Sequence, residues 1–212
     1  GNTAVGFEAL KANTDDGDNT AVGCRAMLAT TTGHSNTAVG ALTLDTNTTG
    51  CFNTAVGSIA LGANTTASCN TAVGYQSLVA TTTGCQNAVV GYKAMDANTT
   101  GDRNVAMGRD ALGSNTTADY NVAMGSEAME GNTTGTLNTA VGHKALQSNT
   151  TANSNTAIGT CSLRVNTTGA QNTAVGKGSL IAVTDGGNNT AIGEGSGSSV
   201  TQGNNNVLLG YV

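Results

Sequence analysis

Few side chains in this 212-residue chain are equipped for chemistry, and most of them recur at one interval. The two histidines, His34 and His143, stand more than six such intervals apart, too far to share a metal or form a catalytic dyad, which needs its groups within hydrogen-bond reach. Asp15, Asp16 and Asp18 in "NTDDGDN" carry the oxygen ligands calcium takes, without the full spacing of a calcium loop, so a plain Asp-Gly turn competes. Cys51, Cys69 and Cys85 fall at nearly the same place in three successive intervals. They suit either one disulfide or buried and loop thiols. Tyr75 and Tyr92 are one interval apart, and an exposed aromatic pair can stack on a sugar ring or simply on itself. Asn47, Asn64, Asn98, Asn115, Asn132, Asn149 and Asn166 each begin Asn-Thr-Thr, and Asn188 begins Asn-Asn-Thr. These are formal glycosylation acceptors, or else an asparagine column at a corner of the chain. No phosphate-binding signature of the GxxxxGKS type occurs, and "GEGSGSS" is only Gly/Ser-rich.

What positions these residues is a repeat. Asn recurs every seventeen residues from Asn2 to Asn206, Gly follows it four places later from Gly6 to Gly210, and Thr holds the thirteenth place from Thr14 to Thr201. Such self-similarity at a fixed period marks stacked repeats, in which each unit contacts its neighbours. Residues 1–205 read as twelve coils, and 206–212 as the start of a thirteenth or a C-terminal transition. The chain begins and ends in mid-pattern, as a segment of something longer would.

Composition narrows the functions. Aromatics are 3% of the chain, Trp and Pro are absent, and bulky apolar residues occupy about two places per repeat, so only a thin core can form. A net charge of −5 with 10% charged residues leaves no basic stripe for a phosphate backbone and argues against nucleic-acid binding. No apolar run approaches the roughly 18 residues of a membrane span.

Within one repeat, "TAVG" has the period-two texture of a short strand, and its Gly suits a corner. The next limb, as in "FEALKAN", contains helix formers, but seventeen residues accommodate two short strands and two turns better than a strand, a helix and their connections. "NTTG" closes the coil. Coils one strand spacing apart would rise about 4.8 Å each, roughly 60 Å in all. Asn53, Asn70 and Asn87 would then form one ladder, Gly57, Gly74 and Gly91 a column of corners, and Thr65, Thr82 and Thr99 a third column. Burial of the Val-type and Leu-type side chains, about 1.5–3 kcal/mol each, falls short of the ordering entropy of a single coil. Stacking and side-by-side association must supply the rest, which predicts a homo-oligomer.

At "NTAVG", "NTAIG" and "NVAMG" the sequence resembles the head repeat of YadA-type trimeric autotransporter adhesins, with Asn70, Thr71, Ala72, Val73, Gly74 and Ser77 matching that motif. Arrays of the "NTAVGYQAL…NTTG" kind also look like those of phage tail fibres. The resemblance implies an all-β fold, a parallel β-solenoid in the form of a left-handed β-roll, three of which pack about a common axis. The strict seventeen-residue length departs from the family's more variable repeats. No adhesin neck, stalk or anchor is present.

The expected function is a non-enzymatic structural or adhesive segment of an extracellular, cell-surface or virion fibre, which spaces or presents receptor-binding parts. It implies no catalytic residue, metal or cofactor, a homotrimer as the assembly, no membrane insertion, and a cell-surface glycan or receptor as a partner. The alternatives are a self-assembling, glycosylated extracellular filament subunit and an ice-binding solenoid, the latter disfavoured because the paired "TT" residues point to opposite faces.

Overall fold

A computed structural model describes residues 1–15 and 17–211, so Asp16 lies outside the described residues. The chain divides into two compact units, 1–104 and 105–212, each built of parallel β-solenoid coils. The first unit contains β1 (Thr3–Val5), β2 (Thr20–Val22), β3 (Thr37–Val39), β4 (Thr54–Val56), β5 (Thr71–Val73) and β6 (Ala88–Val90). The second contains β7 (Val105–Met107), β8 (Val122–Met124), β9 (Thr139–Val141), β10 (Thr156–Ile158), β11 (Thr173–Val175), β12 (Thr190–Ile192) and β13 (Val207–Leu209). Within each unit consecutive strands pair in parallel with equivalent residues opposed, as in Thr54↔Thr71 and Ala55↔Ala72 of the first unit and Thr156↔Thr173 of the second.

Each coil has one three-residue strand, not the two expected. The limb after the Gly corner runs as turns, and its backbone still bonds to both neighbouring coils: Gln76 N–H donates to Ser58 O at 3.1 Å and Leu78 N–H to Ala94 O at 3.0 Å. It fails to be a regular strand because its seventh and ninth places are left-handed, as at Gln76 (φ 54°) and Leu78 (φ 54°). The seventeenth place shares this conformation, as at Gln86 (φ 60°). For a residue with a Cβ this costs about 1–2 kcal/mol, comparable to what burying a leucine contributes. Leu78, Met95, Leu112 and Leu146 are all fully buried, so the strain is spent in turning the large side chain into the core.

The interior is not lined as the sequence suggests. In most strands only the central residue points inward, and it is the small one, as at Ala21, Ala38, Ala55 and Ala72 in the first unit and Ala106, Ala140 and Ala174 in the second; in β6 the buried central residue is Val89. The valine after it points outward. One pair of positions shows how tightly inward volumes are matched. Gly197 stands where other coils have Leu or Met, and Leu208 stands where all but one have Ala; a Cβ on Gly197 would meet Leu208 Cδ1 at 2.7 Å.

The corner glycines are required by the stacking distance. Gly74 has φ +134°, and a Cβ there would lie 2.3 Å from the carbonyl oxygen of Gly91; the same clash recurs at Gly57 against Gly74. That region of backbone space is open essentially to glycine alone.

Candidate functional site

Among the predicted ladder residues, the first-place asparagines are buried and each bonds both to the coil before and to the end of its own coil. Asn53 donates its backbone N–H (2.9 Å) and its Nδ2–H (3.1 Å) to Asn36 Oδ1, and its second amide hydrogen to Ala67 O at 2.9 Å. Asn87 repeats the pattern and closes its coil on Gly101, while Asn70 keeps the backbone bond to Asn53 Oδ1 and closes on Gly84. Asn is suited to this because it combines one acceptor with two donors on a short side chain. In the thirteenth-place column, Thr65 Oγ1 donates to Thr82 O at 3.1 Å and Thr82 Oγ1 to Thr99 O at 3.3 Å. These columns are scaffold.

The glycosylation expectation is corrected at seven of its eight positions. Asn47, Asn64, Asn98, Asn115, Asn132, Asn149 and Asn166 are 0% exposed, and each gives an Nδ2 hydrogen to the carbonyl three residues on, as Asn47 does to Gly50 at 3.1 Å and Asn149 to Ala152 at 3.1 Å. An amide so held cannot carry a glycan without opening its coil. Asn188 is exposed and is the one such acceptor presented among the described residues.

The disulfide expectation is corrected as well. Cys51, Cys69 and Cys85 are free, as are Cys24 and Cys161. Ser68 stands between Cys51 and Cys85 in their column, with its Oγ accepting Cys51 N–H at 3.0 Å. The thiols of Cys51 and Cys85 turn to the carbonyls of Thr49 and Thr83, both at 3.2 Å, while Cys69 occupies the adjacent left-handed place and is exposed.

No group of three or more His, Cys, Asp or Glu side chains that could hold a metal occurs among the described residues. His34 sits edge-on to Phe52 with centroids 5.0 Å apart. His143 is exposed. Asp15 is exposed, and Asp18 accepts the Gly1 ammonium at 2.9 Å.

Two surface features remain. The first is an apolar column made by the outward valine of each strand and its Met or Ile replacements. Val22, Val39, Val56 and Val90 in the first unit and Met107, Met124, Ile158 and Ile192 in the second are between 36% and 47% exposed. The sequence left open which apolar file faces the interior and which faces outward; the signal available was the period of two, which puts Val opposite the buried Ala. The second is the pair Tyr75 and Tyr92, 44% and 50% exposed, stacked at a centroid distance of 5.6 Å and an interplanar angle of 19°. Lys93 Nζ lies 5.8 Å from the Tyr92 ring centre.

The second unit also carries a charged network. Glu127 accepts from Arg109 and from Lys144 (3.4 Å), and Gln147 bridges Glu127 and Glu130 at 3.1 and 2.9 Å. Desolvation pushes the Glu127 carboxyl up, but hydrogen bonds from Arg109 and Lys144 outweigh it and hold the group below the usual carboxylate range.

No protein-family model, curated protein or solved structure matches the chain.

Proposed function

We propose that the chain is a non-enzymatic segment of an extracellular, cell-surface or virion fibre, in which identical solenoids associate through the outward face of their strands and hold a receptor-binding part at a distance. The observation that carries this reading is the apolar column. In each unit one large apolar side chain per coil is presented to solvent beside a rank dominated by threonine, for example Thr37 with Val39 and Thr156 with Ile158. Singly exposed apolar residues are ordinary, but a contiguous file of them marks a surface that is covered in the working assembly. The number of copies, three, and the left-handed sense of the coil come from the resemblance to adhesin heads and tail fibres.

Light scattering at several concentrations tests the proposal. A particle of three times the 20.8 kDa chain is the expected result, and a monomer at all concentrations removes it.

A second reading, ice binding, is favoured by one observation: the threonine and the valine of a strand such as Thr54–Val56 share its outward side, giving two parallel ranks. Ala88, Val105 and Val122 interrupt the threonine rank. Thermal hysteresis above that of a matched buffer would favour this reading over the fibre.

A further inference from the structure

We infer that the patch formed by Tyr75, Tyr92, Gln76 and Lys93 is a binding site for an acidic oligosaccharide, with the tyrosines taking pyranose rings and Lys93 a sugar carboxylate. The inference rests on the fibre reading only for its setting, since a surface fibre needs a contact to make.

Three observations converge on it. The two tyrosines occupy the same place in successive coils and are stacked, yet each keeps about half of its surface in solvent. The coils before Tyr75 carry Ser58 and Ala41 at that place, so the ring face turned away from Tyr92 is not covered by a third ring. Flat apolar faces edged by hydroxyls are the surfaces on which sugar rings settle.

The second observation is charge. The chain has four lysines, and Lys11, Lys144 and Lys177 are paired with Glu8, Glu127 and Glu194. Among the described residues Lys93 has no carboxylate at ion-pair distance; its ammonium lies near the Tyr92 ring. In a chain of net charge −5, an unneutralised cation beside exposed aromatics selects an anionic group, while the overall charge repels polyanions that lack a specific seat.

Third, the patch is rigid. Lys93 N–H donates to Tyr75 O at 3.0 Å and Gln76 N–H to Ser58 O at 3.1 Å, so both left-handed places are tied to the coil before them. The ligand meets side chains on a fixed backbone. Gln76, one coil from Lys93 at the same place, adds an amide able to donate and accept toward ring hydroxyls.

Isothermal titration with oligogalacturonate, with maltohexaose and hexaglutamate as controls, tests the assignment. The variants Tyr75→Ser, Tyr92→Ser and Lys93→Gln stay within the repeat's own repertoire, since Ser58 holds the tyrosine place and Gln76 the lysine place. Saturable binding of oligogalacturonate is expected, weakened about 3- to 10-fold by either tyrosine change and about 10-fold by Lys93→Gln, with unchanged circular dichroism. Absence of saturable binding, binding that survives all three changes, or equal affinity for maltohexaose or hexaglutamate overturns it. Particle mass, read in the same samples, reports the fibre assembly independently, so the two proposals can fail separately.

Discussion

At the scale of single residues, the second asparagine column shows what continuity contributes. Asn132 and Asn149 are each bonded from the coil after, but the file, already broken once at Thr30, is interrupted by Thr81 in the first unit and Val183 in the second. The acceptors facing those interruptions, Asn64 Oδ1 and Asn166 Oδ1, are buried without a partner. Val183→Asn would place an amide opposite Asn166 Oδ1 and another hydrogen toward the Gly186 carbonyl, in the manner of its column mates. The orphan would pass to its own oxygen, facing the half-buried Val200 and within reach of water. A gain of about 1 kcal/mol in denaturant unfolding is expected, and a loss would mean that the valine packs better than the bond holds. The Glu127 network gives the complementary test in pH. Because its carboxyl titrates lower in the folded chain than in the unfolded one, its contribution is complete above the unfolded value near pH 4.5 and is lost as pH falls through the folded value. Glu127→Gln should therefore flatten the fall in stability with acid below about pH 4.5, measured by thermal melts at a series of pH values.

At the scale of the element, the corner and the closing turn both carry glycine, for different reasons. Gly74 combines a positive φ of +134° with a clash at 2.3 Å, so Gly74→Ala should cost on the order of 4 kcal/mol in chemical denaturation. Gly84, at the fifteenth place, would also crowd its neighbour at 2.5 Å, but the same place is held by buried Ala67, Ala118 and Ala152. Gly84→Ala should cost about 1–2 kcal/mol, and equal costs at the two sites would show that backbone angle is not what sets the corner. The corner was legible in the sequence because thirteen copies never replace that glycine. The limb after it was not. Its "YQSLVA" and "YKAMDA" segments offer Leu, Met, Lys and Ala, residues without a preference for left-handed angles, and only stacking against both neighbours holds Leu78 and Met95 there. Propensity is a local quantity, and this conformation is imposed by contacts seventeen residues away.

At the scale of the whole molecule, the repeat interval is enough to read coils, register and columns, because a one-residue slip would turn every strand side chain to the opposite face. What it could not assign was which apolar file is inside. Leu and Val recur equally often, and only the burial of Leu61 and Leu78 against the exposure of Val56 separates them. That distinction makes assembly testable without disturbing the fold. Val39→Lys together with Val56→Lys places charge on the outward file at half-exposed positions, where the lysine stem can lie along the sheet and the strand bonds are untouched. Leu61→Ala instead removes a fully buried side chain, at about 2–5 kcal/mol. If outward valines are the surface through which copies associate, the lysine pair should lower the particle mass while circular dichroism is unchanged, because a desolvated unpaired charge opposes association. Leu61→Ala should lower the unfolding midpoint and leave the mass of the folded fraction as it was. A lysine pair that leaves the mass of an oligomer intact would move the interface to another face of the coil.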